Sequence, residues 1–209
     1  MTVDLPIGIL RGLSTDTKPT SVNHGTLFFE TDTGKTFYWN SNISEWIEQT
    51  DEKRWQVLGV GKLFTDSASL IVQNLKPRKY LRVIIYPVPN ASVAAHAIRL
   101  NNNAGANYAT RQSINGGADT TSVSVTSIGT SADAITPNIV IIDILNLLNQ
   151  EKLLIIHVVG QETAGAANVP DRRETVAKLV LVEKINRIDL ITGAGSYLVG
   201  TTMIVQGHD

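Results

Sequence analysis

The hydrophobic positions of this 209-residue chain fall into short blocks rich in β-branched and aromatic residues, and Gly, Asn, Pro and Asp cut between them. From residue 55 onward the pattern predicts strand after strand: 55–60, 69–75, 80–88, 94–100, 122–128, 138–144, 153–159, 176–185, 187–191 and 202–205. Over 80–86 both faces are apolar, with Leu81, Val83 and Ile85 on one and Ile84 and Tyr86 beside a single charge, Arg82, on the other. Pro87 and Pro89 stop that strand, because neither can donate to a ladder. Residues 176–183 are long enough for a helix, but so continuous and β-branched a run suits a strand better. With no convincing amphipathic helix, the expected fold is all-β, a jelly-roll-like β-sandwich. Three polar segments, 101–107, 113–121 and 161–173, are expected to be loops at the sandwich ends.

The front of the chain reads differently. Residues 1–24 are rich in Thr, Ser, Pro and Gly without periodicity, which suits an extended N-terminal arm. Next come two aromatic segments, Thr26-Leu-Phe-Phe-Glu-Thr31 and Thr36-Phe-Tyr-Trp-Asn40, around Asp32-Thr-Gly-Lys35, a type I turn closed by a left-handed Gly34. A further turn at Asn40-Ser-Asn42 leads to a short strand near Trp46, so residues 25–50 are expected to form a small aromatic β-meander. The charged stretch 51–54 sets the boundary, leaving 51–209 to the sandwich.

Composition narrows the functional classes. A hydrophobic fraction of 43% and a charged fraction of 18% describe a chain able to bury a core. Eighteen basic against 19 acidic residues leave a net charge of −1, so no long-range field draws the chain to nucleic acid or an anionic membrane. The longest apolar run, 138–148, is interrupted by Asp143 and Asn146 and falls well short of the roughly 20 residues of a membrane-spanning helix. The start carries neither a basic nor an uninterrupted apolar region, so a secretory signal is not expected. The absence of cysteine removes disulfides, thiolate nucleophiles and cysteine-based metal sites.

Catalytic chemistry finds little footing. The four histidines, His24, His96, His157 and His208, sit in no recognisable motif. His96 alternates with Ile98 and Leu100 and reads as a packed or surface imidazole, and His157 reads as a core histidine satisfied by hydrogen bonds. An enzyme would need one of these two to meet an acid in a cleft. Gly59-Val-Gly61 and Gly193-Ala-Gly195 lack phosphate-loop spacing and read as turns. Asp119, Asp133 and Asp143 do not form the closely spaced ladder of a calcium loop, and Asn101-Asn-Asn103 reads as a turn held by its own side chains. No catalytic, cofactor or metal site is therefore expected.

Two groups of residues remain as candidate contact sites. Phe28, Phe29, Phe37, Tyr38, Trp39 and Trp46 crowd into about twenty residues, and a module that small hides only one face. Docking on a partner, stacking on a carbohydrate, or filling the module's own core are the three uses open to them, the last accounting for about half the set. Arg172 and Arg173, in the Asp171-Arg-Arg-Glu174 cluster, either reach a carboxylate across a subunit interface or lie in a solvated turn.

The segment Gly25 to Asn40 resembles a short β module at the front of phage minor structural and tail-associated proteins. Four further stretches resemble phage and prophage structural proteins: Lys79 to Tyr86, Arg99 to Tyr108, Asn115 to Thr121, and Arg187 to Gly200 with Val205-Gln-Gly207. In that resemblance Gly193, Gly195 and Gly200 are turn glycines of a last hairpin. It implies a non-enzymatic virion protein, an accessory capsid-surface or decoration component or a tail component. Such a protein docks on other capsid or tail proteins and self-associates, with a trimer favoured. A host-recognition module that binds a glycan is the rival from another class.

Overall fold

The computed structural model describes residues 9–49, 55–90, 96–130, 138–161 and 163–209. Among these the chain is all-β, and it divides into two compact units, Met1–Lys53 and Arg54–Asp209. The charged stretch 51–54, the first eight residues of the expected arm, Ala94 and Ala95 of an expected strand, and Asp133 lie outside the described residues.

The first unit is a four-stranded sheet of β1 (Ile9–Gly12), β2 (Leu27–Glu30), β3 (Thr36–Asn40) and β4 (Glu45–Glu48), in that order. The β2–β3 turn closes as its sequence dictates: Gly34 takes φ 71° and its N–H donates to the Glu30 carbonyl at 2.9 Å. Residues 9–24, expected as an extended arm, are held on the module's own sheet. β1 joins β2 in parallel, and the crossover from β1 to β2 covers one face of the sheet. Lys18 binds Glu30 at 2.7 Å and lies over the rings of Phe28 and Phe37, while the Trp46 indole N–H donates to the Pro19 carbonyl at 2.9 Å. One lysine and a few polar bonds hold this segment in place, so it leaves no apolar period in the sequence.

The second unit is a sandwich. Its strands are β5 (Gln56–Lys62), β6 (Ser69–Gln73), β7 (Tyr80–Tyr86), β8 (His96–Leu100), β9 (Tyr108–Ile114), β10 (Thr120–Val125), β11 (Ile128–Gly129), β12 (Asn138–Leu145), β13 (Lys152–Gly160), β14 (Asp171–Leu179), β15 (Arg187–Thr192) and β16 (Thr202–His208). The large sheet runs β10-β9-β14-β13-β12-β7-β16-β5 and the small one β11-β8-β15-β6, with every pair antiparallel. Eight of these strands, β5-β16-β7-β12 facing β6-β15-β8-β11, alternate between the sheets in jelly-roll order. Two inserted hairpins, β9–β10 and β13–β14, widen the large sheet beyond β12.

Inward-pointing Leu81, Val83, Ile85, Val140 and Ile142 meet Leu70, Val72, Ile98, Leu100 and Leu190 in one apolar cluster. Each such side chain contributes about 1.5–3 kcal/mol by leaving water. Gly59 and Gly61 are mid-strand, not turns: a Cβ at Gly59 would stand 2.6 Å from Val72 Cγ1, and one at Gly61 2.9 Å from Val72 Cγ2. Their bareness lets β5 close onto β6.

Four further differences from the expected strands have physical reasons. β9 is a strand although its sequence is polar, because Tyr108 alone is fully buried there; the Tyr108 hydroxyl accepts the Leu100 N–H at 3.0 Å. β14 begins at Asp171 and leaves the ladder after Leu179, so Arg172 and Arg173 lie in a strand, and 180–185 is not one. The expected strand 122–128 divides between two sheets at an irregularity where Ser124 takes φ 54°. Residues 193–201 form no hairpin; they carry the chain from β15 in the small sheet to β16 in the large one.

Candidate functional site: the outer face of the large sheet

β12 reads Asn-Ile-Val-Ile-Ile-Asp-Ile-Leu and β13 Lys-Leu-Leu-Ile-Ile-His-Val-Val-Gly, apolar on both faces. A sheet with one face in water normally alternates apolar with polar residues. Here the inward residues fill the core, and register arranges the outward ones in four rows across the strands. One row is Val176, Ile155, Asp143, Arg82, Gln206 and Val57. Beside it run Glu174, His157, Ile141, Ile84, Ile204 and Val60, then Arg172, Val159, Ile139, Tyr86 and Thr202. On the opposite flank lie Lys178, Leu153, Leu145, Tyr80 and His208. Leu153 is 52% exposed, Ile155 50%, Val176 51% and Val60 63%, so large aliphatic groups meet water over much of the sheet.

The sheet curls enough that Trp55 at one side and Val123, on β10 at the other, wall the same trough of about 790 Å³. Leu145, Leu153, Ile155 and Val176 floor it. In its middle the Arg82 guanidinium grips Asp143 with two hydrogen bonds, at 2.7 and 3.0 Å, and the carboxylate raises the arginine's pKa. The same guanidinium lies 5.0 Å from the Trp55 ring. His208 meets Trp55 edge-on at 4.5 Å and stacks on Tyr80 at 4.9 Å. Two further ion pairs lie beside the trough, Arg111 with Asp119 at 3.1 Å and Lys178 with Glu151 at 3.0 Å. Two smaller hollows continue the surface, one beside Tyr86, Ile139, Val159 and Pro170, the other beside Ser113, His157 and Glu174.

No protein-family model matches the chain, and a search of curated proteins finds no match. Function must therefore be argued from the geometry.

The sequence-predicted candidates distribute as follows. In the first unit Phe28 and Trp39 are buried, and Phe37 and Trp46 share their face under the 13–24 segment, with Trp46 packing on both Phe28 (5.8 Å) and Trp39 (5.6 Å). These four build the module's interior. Phe29 and Tyr38 point the other way, with Leu27 and Ile47, onto a face that the module's own chain leaves half-exposed. Arg173 turns inward and is 9% exposed, which removes it from any surface a second copy could reach. Arg172 is exposed on the outer face, 3.9 Å from Glu174.

His157 is not a core histidine: β13 turns it outward, directly opposite Glu174. His96 is buried; its Nδ1 stands 3.1 Å from the Tyr197 hydroxyl, and desolvation lowers its pKa to about 4. Burial likewise pushes the Tyr197 phenol up. Asn101 and Asn102 take φ near 50°, and the Asn101 side chain bonds the Lys184 carbonyl and the Asn186 N–H, so this is a turn held by its own side chains. The loops 115–119 and 161–170 meet at one end of the sandwich, where Asn115 bonds Asp171 and Arg172, while 101–107 lies at the other.

That Trp55, Tyr80, Arg82, Asp143 and His208 form one group could not be read from the sequence, because only strand register brings them together. The usable signal was the apolar character of β7, β12 and β13 on both faces.

Proposed function

We propose that the chain is a non-enzymatic structural protein of a virus particle, an accessory component that self-associates and docks on other particle proteins, with the outer face of its large sheet as a protein-contact surface. The observation that carries the docking is the four-row face itself: aliphatic floor, paired charges and polar margins are the anatomy of a protein interface. The virion setting rests on the resemblance of Lys79 to Tyr86, Arg99 to Tyr108 and Arg187 to Gly200 to phage structural proteins. Jelly rolls build capsid and lectin domains alike, so the fold is compatible with this setting without selecting it. The glycan reading draws less support, since the rings of Trp55 and His208 meet at 75° and the trough floor is aliphatic, which gives no flat platform for a sugar.

The test is fractionation of particles released from cells that carry this gene on a density gradient, with quantitative mass spectrometry of each band. The protein is expected in the particle band at a fixed ratio to the major coat protein. Recovery only from the soluble fraction would overturn the reading.

A further inference from the structure

We propose that the occupant of the large sheet's outer face is a second copy of this chain, related by a two-fold axis that passes near the Arg82–Asp143 pair. The inference rests on the docking reading and names its partner. Three observations carry it.

The first is charge. The arginines and lysine that line the trough each have an opposite charge beside them, Arg82 with Asp143, Arg111 with Asp119, Lys178 with Glu151. A trough without net sign gives no advantage to a nucleic acid or to a strongly acidic or basic protein. It is complementary to itself. A two-fold rotation sets Arg82 of one copy against Asp143 of the partner subunit and the reverse, so each charge keeps a partner when water leaves.

The second is extent. The four rows present about two dozen outward side chains, within the roughly 20–30 residues a side that a stable interface employs. Leu153, Ile155, Val159 and Val176 among them are about half exposed, while the residues next to them in sequence are buried in the core.

The third is shape. The face is hollowed across its strands, and a twisted sheet hollowed one way curves oppositely the other way. Two such surfaces fit when one is turned through about a right angle to the other, as in orthogonal sheet packing. The product is a dimer, in place of the trimer that the resemblance implied.

The experiment uses the full chain, by size exclusion with light scattering at about 50 μM, and two variants, R82E and D143R. Arg82 and Asp143 side chains are 39% and 38% exposed, so both variants are expected to fold, which circular dichroism checks. Wild type is expected at twice the chain mass. Each variant alone brings like charges together across the axis and is expected at the monomer mass. An equimolar mixture, an acidic face against a basic one, is expected to regain the doubled mass.

Mixing cannot restore a pair within one chain, so recovery separates the interface role from a merely local one. A monomeric wild type, a dimer indifferent to both variants, or a mixture that stays monomeric overturns the pairing. A monomer that still bands with particles removes the second copy and leaves the docking reading intact. A dimer absent from particles does the opposite.

Discussion

The two sheets of the sandwich turn different faces outward. On the small sheet the outward positions include Gln73, Arg99, Arg187 and Asp189, interspersed with Ile71 and Ile191; the Arg187 guanidinium caps Asp189 with bonds of 2.8 and 2.6 Å. That is the inside-out alternation of a sheet finished by water. On the large sheet the outward positions of β12 and β13 are Ile139, Ile141, Leu153, Ile155 and Val159, with Asp143 and His157 between them. Both sheets bury their inner faces in the same core, so core formation cannot account for the difference. The large sheet carries apolar area beyond what its own fold uses.

Substitutions separate the two faces, and the largest effect belongs to the small sheet. Its Asp189 side chain is 4% exposed, so Arg187→Gln strands a buried carboxylate and is expected to cost about 3 kcal/mol or more in urea unfolding. The equivalent change on the large sheet, Arg82→Gln, touches a pair more than a third exposed and is expected to cost under about 1 kcal/mol in the monomer.

Neighbours on β13 come next. Ile156 is fully buried, and Ile156→Ala is expected to lose about 2–4 kcal/mol, while Ile155→Ala, one residue away and half exposed, stays within about 0.5 kcal/mol in the monomer. Equal losses at both positions would mean that the outer face is covered within a single chain.

Acid probes the interior. His96 titrates near 4 when folded and near 6.5 when unfolded, so its contribution is intact above pH 6.5 and is lost as pH falls toward 4. The unfolded chain takes up a proton over this window and the folded chain does not. A His96→Gln variant is expected to flatten the stability curve between pH 6.5 and 4.5 by about 2–3 kcal/mol relative to wild type. Parallel curves would place the ring in contact with water. The smallest effect is expected from Gln73→Lys on the small sheet's outward face, with oligomeric state and stability both unchanged by light scattering and urea titration.

Most of the strands were legible because alternation with β-branched residues is a local property. Gly34 and the aromatic hairpin were legible for the same reason. What escaped was set by distant partners. β9 carries almost no apolar signal, since it is held between β10 and β14 and buries little besides Tyr108. Arg173 looked like a surface charge because nothing near it in sequence shows that β14 has already begun at Asp171. The trough was least visible of all: Trp55, Tyr80, Asp143 and His208 come from four separate parts of the chain and meet through the pairing of β7 with β12 and β16 and of β16 with β5.

The pairing of β5 with β16 has a temporal consequence. Among the described residues, the strand that opens the sandwich finds its neighbour in the large sheet about 150 residues downstream, across a separation that slows folding. At ordinary elongation rates of about 5–20 residues per second, the ribosome spends roughly 6–24 seconds holding β5 and β7 without the strand that belongs between them. During that interval the apolar surfaces of β7, β12 and β13 are open on both sides, and chaperone occupancy of the nascent chain should peak there.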